Sequence, residues 1–152
     1  YAAVTFSNAP EDRMISMAWA SNWMYANDLP LNGWRCMMTV PRELFLMEYN
    51  GSLVMGSMPV DEVLNKCSAN LHHYTLSETS PSLMIDGLSL HLDGNVVTVS
   101  RETELKFNDK FNVQTSAILD DRSEHDLLVL RDKNSVEIFI DGGAVAMTFL
   151  IF

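Results

Sequence analysis

The sequence predicts an antiparallel all-β fold of the sandwich or barrel type. Short runs in which apolar and polar residues alternate recur at about ten-residue spacing from residue 71 onward. The clearest pair, 88–92 and 95–99, flanks Asp93-Gly94, a dipeptide that favours a tight hairpin. Many short strands at such regular spacing are typical of sandwiches and barrels. Later runs of the same kind are found at residues 126–131, 135–140 and 144–152.

The first 70 residues predict further strands and one short helix. Apolar runs separated by turn-forming residues predict strands at 1–6, 13–19, 36–40 and 44–49. Residues 59–66 predict the helix, because proline suits a first helical turn and two acidic residues then complement the helix dipole. Tryptophan is confined to the part before residue 50, so the composition shift at 50–59 predicts a domain boundary.

The later strands carry two specific expectations. Residues 103–107 alternate and predict a strand. In the run 135–140, alternation places Glu137 outward and three aliphatic residues in the core: Val136, Ile138 and Ile140. We expect two antiparallel sheets packed face to face from residue 52 onward.

Charge excludes two classes of partner. The 152 residues contain 10 Lys+Arg and 20 Asp+Glu, which gives a formal net charge of −10. A nucleic-acid surface needs clustered cations to neutralise phosphates, and an anionic membrane surface needs them as well. The longest uncharged segment, between Arg13 and Asp28, is too short to span a bilayer. Neither nucleic acid nor a membrane is an expected partner.

No cofactor or metal site is predicted. Cys36 and Cys67 form no C-x-x-C motif, and we expect two buried thiols, with one disulfide as the alternative. The acidic run 120–126 around His125 lacks the spacing of an EF-hand and predicts a solvated loop. His72 and His73 are neighbours on a predicted strand, so their side chains point to opposite faces and cannot share a metal.

One short segment concentrates aromatic rings and amides. Between residues 19 and 34 lie three tryptophans, a tyrosine and two asparagines that precede Asp28. Flat rings can stack on the C–H faces of a sugar, and amides can bind its hydroxyl groups. Composition alone is equally consistent with tryptophans that pack beneath a loop. The residues in question are Trp19, Asn22, Trp23, Tyr25, Asn27 and Trp34.

A more specific pattern joins the two ends of the chain. It consists of YAAVTF at residues 1–6, WASNWMY at 19–25, WRC at 34–36, PREL at 41–44 and VEIF at 136–139. In this order and spacing, these stretches resemble the C-terminal part of the fructan- and sucrose-cleaving enzymes of glycoside hydrolase family 32. That family includes levanases, inulinases and invertases.

The resemblance implies a domain organisation. Family members have a five-bladed β-propeller followed by a β-sandwich. Residues 1–50 are then expected to be the last strands of the catalytic propeller, and residues 51–152 the C-terminal sandwich, which is expected to be incomplete at its end.

The resemblance also implies an activity, the retaining hydrolysis of β-fructosyl bonds. The two carboxylates of that reaction, and a third aspartate that stabilises its transition state, belong to motifs upstream of the matched part, and none of these motifs occurs here. We therefore expect no catalytic residue in this chain, and no activity from the chain alone. Asp28 lies in a segment that resembles the nucleophile motif only faintly and is not assigned that role.

The expected substrate-binding residues are Trp19, Asn22 and Trp23. The expected partners are fructan or sucrose and the rest of the catalytic propeller, and residues 1–50 are expected to self-associate when the propeller is missing. The family implies an extracellular or periplasmic location. The alternative function is a free-standing sandwich that binds carbohydrate or has a purely structural role.

Overall fold

The computed structural model describes all 152 residues. Its strands form three four-stranded sheets, and every strand pairing is antiparallel. The predicted all-β fold is confirmed. The first sheet contains, in spatial and chain order, β1 (Val4–Thr5), β2 (Met14–Met17), β3 (Arg42–Tyr49) and β4 (Ser52–Pro59). The one α-helix is α1 (Asp61–Lys66).

The other two sheets follow α1. The second contains β5 (Leu71–Ser77), β10 (Glu124–Arg131), β11 (Ser135–Ile140) and β12 (Val145–Leu150), in the spatial order β12-β11-β10-β5. The third contains, in spatial and chain order, β6 (Ser82–Ile85), β7 (Leu88–Asp93), β8 (Val96–Arg101) and β9 (Thr115–Ile118).

The hairpin between β3 and β4 carries the first sheet past residue 50. Tyr49 pairs with Ser52, so Asn50 and Gly51 form the two-residue loop. Both have positive φ, at 51° and 66°, which is the conformation that an Asn-Gly hairpin turn requires. The predicted boundary after residue 50 falls inside this turn, while β4 still belongs to the first sheet. The division into 1–50 and 51–152 therefore stays a prediction.

The second and third sheets form a sandwich around one apolar core. This core contains 15 buried residues from both sheets, among them Val136, Ile138 and Ile140, as alternation predicted. The sandwich strands begin at residue 71 rather than at residue 52, because β4 and α1 occupy the intervening chain. Antiparallel sheets that pack in this way leave their outer faces for solvent or for another layer.

Strand β11 is buried on both faces. All six of its residues are buried. The predicted register is confirmed, since Glu137 lies on the face opposite the core, but this outward face is covered and only 2% of the residue is exposed. Its side chain does point away from the core, but the chain around Val40 and Arg42 covers that face of the sheet.

Two other element predictions are corrected. Residues 103–107 form no strand, because Thr115–Ile118 takes the position beside β8 and the segment between them turns away. Residues 36–40 contribute a single β-bridge, between Met38 and Trp19, instead of a strand. The predicted helix 59–66 is present in shorter form, since Pro59 is the last residue of β4.

The structure also answers the predictions about the cysteines and about membrane-spanning segments. Both cysteines are free thiols, but Cys36 is exposed and Cys67 is half-buried, so the prediction of two buried thiols is wrong. Cys36 lies in an irregular segment in which residues 32–36 are all exposed. None of the helices has the length and apolar character needed to cross a bilayer.

Candidate substrate-binding surface

Three aromatic rings form a cluster where the chain leaves β2. The ring centroids of Trp19 and Trp23 are 4.9 Å apart, and Tyr1 lies 6.1 Å from Trp19 and 6.5 Å from Trp23. Trp23 is 65% exposed and Trp19 is half-buried. The cluster therefore presents indole surface to solvent, as a sugar-stacking site requires.

Asn22 shapes the loop between the two tryptophans. Its side-chain Oδ1 accepts a hydrogen bond from the Met24 backbone N–H at 2.9 Å, and its carbonyl oxygen accepts from Tyr25 and Ala26. The Asn22 amide NH₂ has no partner within the protein and lies on the exposed side. One end of this side chain thus fixes a turn, while the other remains free to donate to a ligand.

The residues that follow Trp23 pack inward. Tyr25 and Leu29 belong to a small core with Phe111 and Leu150, and the Tyr25 and Phe111 rings meet edge to face at 5.2 Å. Tyr25 is therefore a packing residue rather than part of the exposed cluster. Exposed Asp28 accepts a hydrogen bond at 2.6 Å from Asn108, which ties this loop to the sandwich.

A cleft of about 460 Å³ lies beside the aromatic cluster, between its loop and the face of β12. Trp19 and Asn22 line this cleft, whereas Trp23 does not. Of the three predicted substrate-binding residues, the structure thus brings two to one cavity and places the third next to it. The charged lining residues are all basic: Arg42, Arg101 and Lys110.

The Arg101 guanidinium is held in place without a carboxylate. It donates to the carbonyl oxygens of Leu150 at 2.8 Å and Phe111 at 2.6 Å, and it lies 4.3 Å from the centre of the Phe111 ring. Burial lowers its pKa from the ordinary value, while neighbouring Tyr25 opposes that change. Carbonyls and ring faces stabilise this cation, so its role in the structure is to brace the small core.

Arg42 and Glu137 join the first sheet to the sandwich. The Arg42 Nε donates to Glu137 Oε2 at 3.0 Å, and Arg42 Nη2 contacts the same oxygen and donates to Thr148 Oγ1 at 2.7 Å. The guanidinium also lies 4.9 Å from the centre of the Phe139 ring. Side-chain exposure is only 13% for Arg42 and 3% for Glu137. A charged pair this deeply buried needs good hydrogen-bond geometry on both sides.

A second buried network lies at the other end of the sheet junction. His125 Nδ1 and Tyr49 Oη meet the same Asp141 carboxylate oxygen, at 2.8 Å and 2.7 Å. Burial, together with the hydrogen bond to Asp141, raises the pKa of the Tyr49 hydroxyl. The prediction of a solvated loop is wrong for His125, which is 1% exposed, because this residue belongs to β10 and its ring contacts buried Asp141.

This network contains the one grouping with metal-ligand chemistry. Potential ligand atoms of Asp120, His125 and Asp141 lie within 4.8 Å of one another. However, the Arg122 guanidinium already lies 2.6 Å from the Asp120 carboxylate and 3.5 Å from that of Asp141. Hydrogen bonding to Arg122 lowers the pKa of Asp120. The protein thus supplies its own cation here, and the network acts as a structural ion cluster.

Sequence reasoning missed the pair Arg42–Glu137 and the cation Arg101. One signal was available for the pair: Glu137 interrupts an otherwise apolar strand, and a buried carboxylate requires a cationic partner. Tyr1 was also missed as a member of the aromatic cluster. Its position depends on backbone hydrogen bonds with Trp19, which no local pattern reveals.

Two protein-family models match the chain in consecutive order. The N-terminal domain of glycosyl hydrolases family 32 matches residues 1–57, and the C-terminal domain of the same family matches residues 92–152. Together they account for most of the chain, and both ends of the sequence pattern fall within them.

Similar proteins agree with these matches. The chain is 32% identical to an invertase of Kluyveromyces lactis over 99% of its own length and 26% of that protein. Its fold matches an exo-inulinase from Aspergillus awamori with a TM-score of 0.77 at 19% identity, over 100% of this chain and 37% of that one. A fructofuranosidase from Schwanniomyces occidentalis complexed with fructosylnystose matches with a TM-score of 0.74 at 21% identity, over 100% of this chain and 41% of that one. The chain thus spans well under half the length of these proteins.

Proposed function

Because the chain belongs to glycoside hydrolase family 32, we propose that it forms the C-terminal part of an enzyme that hydrolyses β-fructosyl bonds in fructan or sucrose. The observation that carries this proposal is the order of the two family matches, together with the tryptophan cluster that lies within the first of them. In this role, the chain supplies the sandwich and part of the substrate-binding surface, while the rest of the propeller supplies the reacting carboxylates.

The first sheet has the form expected of propeller strands. It is a four-stranded antiparallel meander, as propeller blades are. By register, Met14, Leu46, Leu53 and Met55 share one of its faces, and they are 53–72% exposed. Such a patch marks a surface that another part of the protein covers. We therefore assign residues 1–50 to the propeller, whose remaining blades would cover this patch, and residues 51–152 to the sandwich part, of which the first strand, β4, completes the four-stranded sheet.

Trp19, Asn22 and Trp23 are the proposed substrate-binding residues. The exposed indole of Trp23 and the half-buried indole of Trp19 can stack on the fructosyl ring, and the free NH₂ group of Asn22 can donate to a hydroxyl. The cleft beside them offers room for a further sugar unit. We propose fructan or sucrose as the substrate, since the aromatic and amide groups suit a neutral saccharide.

The experiment is a kinetic comparison in a full-length enzyme that carries this chain. We expect Trp19→Ala to raise KM for inulin and sucrose about tenfold, as the loss of one stacking contact implies. Trp34→Ala is the matched control, because Trp34 belongs neither to the aromatic cluster nor to the lining of the cleft. Equal kinetic effects of the two variants would contradict the assignment. Binding of fructose oligomers without any fructose release by the wild type would instead favour a carbohydrate-binding sandwich.

A further inference from the structure

The carboxylate of Glu137 holds a specific stretch of the first sheet. Its Oε1 accepts a hydrogen bond from the backbone N–H of Val40 at 2.8 Å, and its Oε2 accepts from the Arg42 guanidinium. Both oxygens of this buried side chain are therefore occupied by groups two residues apart in the chain. Three-point contact of this kind fixes both the position and the direction of the segment.

The segment held by Glu137 in turn holds the backbone on both sides of Trp19. The Thr39 N–H donates to the Ala18 carbonyl at 2.8 Å, and the Ala20 N–H donates to the Met37 carbonyl at 2.8 Å. The Thr39 hydroxyl also accepts from the Ala18 N–H at 3.1 Å. Trp19 lies between these bonds, opposite Met38 in the β-bridge.

We propose that Glu137 is a positioning residue for the sugar-binding surface: through Val40 and Arg42 it fixes residues 37–42, and these fix the Trp19 indole. The sandwich then takes part in substrate recognition, although none of its residues needs to touch the reacting bond. The ligand in this inference rests on the proposed function, while the mechanical link from Glu137 to Trp19 does not.

The geometry favours this role over that of a simple staple between domains. A contact that only holds two domains together could lie anywhere on their surfaces. Glu137 instead binds the backbone N–H of Val40, which is next to Thr39, and Thr39 pairs with Ala18 beside Trp19. The Arg42 guanidinium is further restrained by Thr148 and the Phe139 ring, so little rotation is left to it. A site held by groups whose own side chains are locked binds its ligand with less loss of conformational freedom.

The first test measures amide hydrogen exchange in the chain itself. In Glu137→Gln we expect the amides of Ala20, Thr39 and Val40 to exchange at least about tenfold faster, because local opening becomes easier. Amides in the pairing of β7 with β8 should keep their rates. Glu48→Gln is the matched control, since Glu48 is an exposed glutamate on β3. Unchanged rates near Trp19, or equal acceleration throughout the chain, would overturn the proposal.

The second test measures binding of 1-kestose, a short fructosyl oligosaccharide, by calorimetry. We expect Glu137→Gln to weaken binding about fivefold, and Thr148→Val, which removes only one contact of Arg42, to weaken it about twofold. Affinities equal to wild type in both variants would contradict the positioning role. A wild-type chain that does not bind 1-kestose would count against the proposed function, whereas the exchange experiment would still decide the link to Trp19. If Glu137→Gln fails to fold, Thr148→Val carries both tests, with a smaller effect of the same pattern.

Discussion

Two neighbouring glycines allow a test of how closely the β11–β12 turn packs against the first sheet. Gly142 and Gly143 both have positive φ, at 67° and 88°, so alanine at either position incurs the left-handed penalty of about 1–2 kcal/mol. The two positions differ in their surroundings. A Cβ on Gly143 would lie 2.5 Å from the Ser57 carbonyl oxygen in β4, whereas a Cβ on Gly142 would have no neighbour within 4 Å.

The expected magnitudes follow from this difference. Ser57 O is a backbone atom and cannot rotate away, so Gly143→Ala must shift the turn from β4, at a further cost of about 1–3 kcal/mol. We therefore expect losses in the free energy of unfolding of about 1–2 kcal/mol for Gly142→Ala and about 2–5 kcal/mol for Gly143→Ala.

The assay is urea unfolding followed by tryptophan fluorescence, because all three tryptophans lie in the part of the chain before residue 50. The change in the m-value shows whether the two parts still unfold together. Equal losses of unfolding free energy in the two alanine variants would refute the reasoning, since they would mean that Gly143 is not in close contact with β4.

Two further predictions concern charge and catalysis. Hydrogen bonding to Arg13 lowers the pKa of the Glu62 carboxyl from 4.5 to about 2, so the stability that it contributes is present above pH 4.5 and is lost as the pH falls towards 2. We expect the difference in unfolding free energy between wild type and Glu62→Gln to shrink over that range. In high salt the difference should be small at every pH, because the pair is exposed. A difference that does not vary with pH would contradict the assignment. For the isolated chain, incubation with sucrose, inulin and levan should release no fructose above a buffer blank, because the reaction needs two carboxylates at fixed separation and the family's motifs for them are absent. Release that disappears in Asp28→Asn would make that aspartate catalytic and reverse this conclusion.

Alternation predicted the core side of the sandwich well because it depends only on local geometry. Val136, Ile138 and Ile140 recur with the two-residue period of a strand, and any sheet with one apolar face buries them together. The same rule also places Glu137 on the outer face, but alternation identifies only the two faces and does not reveal whether a further layer covers the second one. That layer comes from the chain around Val40, which is distant in sequence.

The remaining errors have the same origin. Residues 103–107 alternate as a strand does, but residues 115–118 occupy the position beside β8. Which of two such segments pairs with a strand depends on the whole fold and cannot be predicted from the pattern of either segment alone. At the candidate site, the sequence indicated Trp19, Asn22 and Trp23 by composition and resemblance. The cleft itself and its basic lining arise from loops and strands that only the fold brings together.

The ion pair between Arg42 and Glu137 also has a consequence for synthesis of the chain. The two residues are 95 positions apart, so the contact adds strongly to contact order and cannot form until β11 has left the ribosome. At ordinary translation speeds this delay is on the order of 5–20 s. During that time the Arg42 guanidinium has no carboxylate partner, and the part of the first sheet that Glu137 and the β11–β12 turn later cover is open to chaperones. Slow synthesis between residues 42 and 137 should therefore lower the yield of soluble protein more than slow synthesis before residue 42.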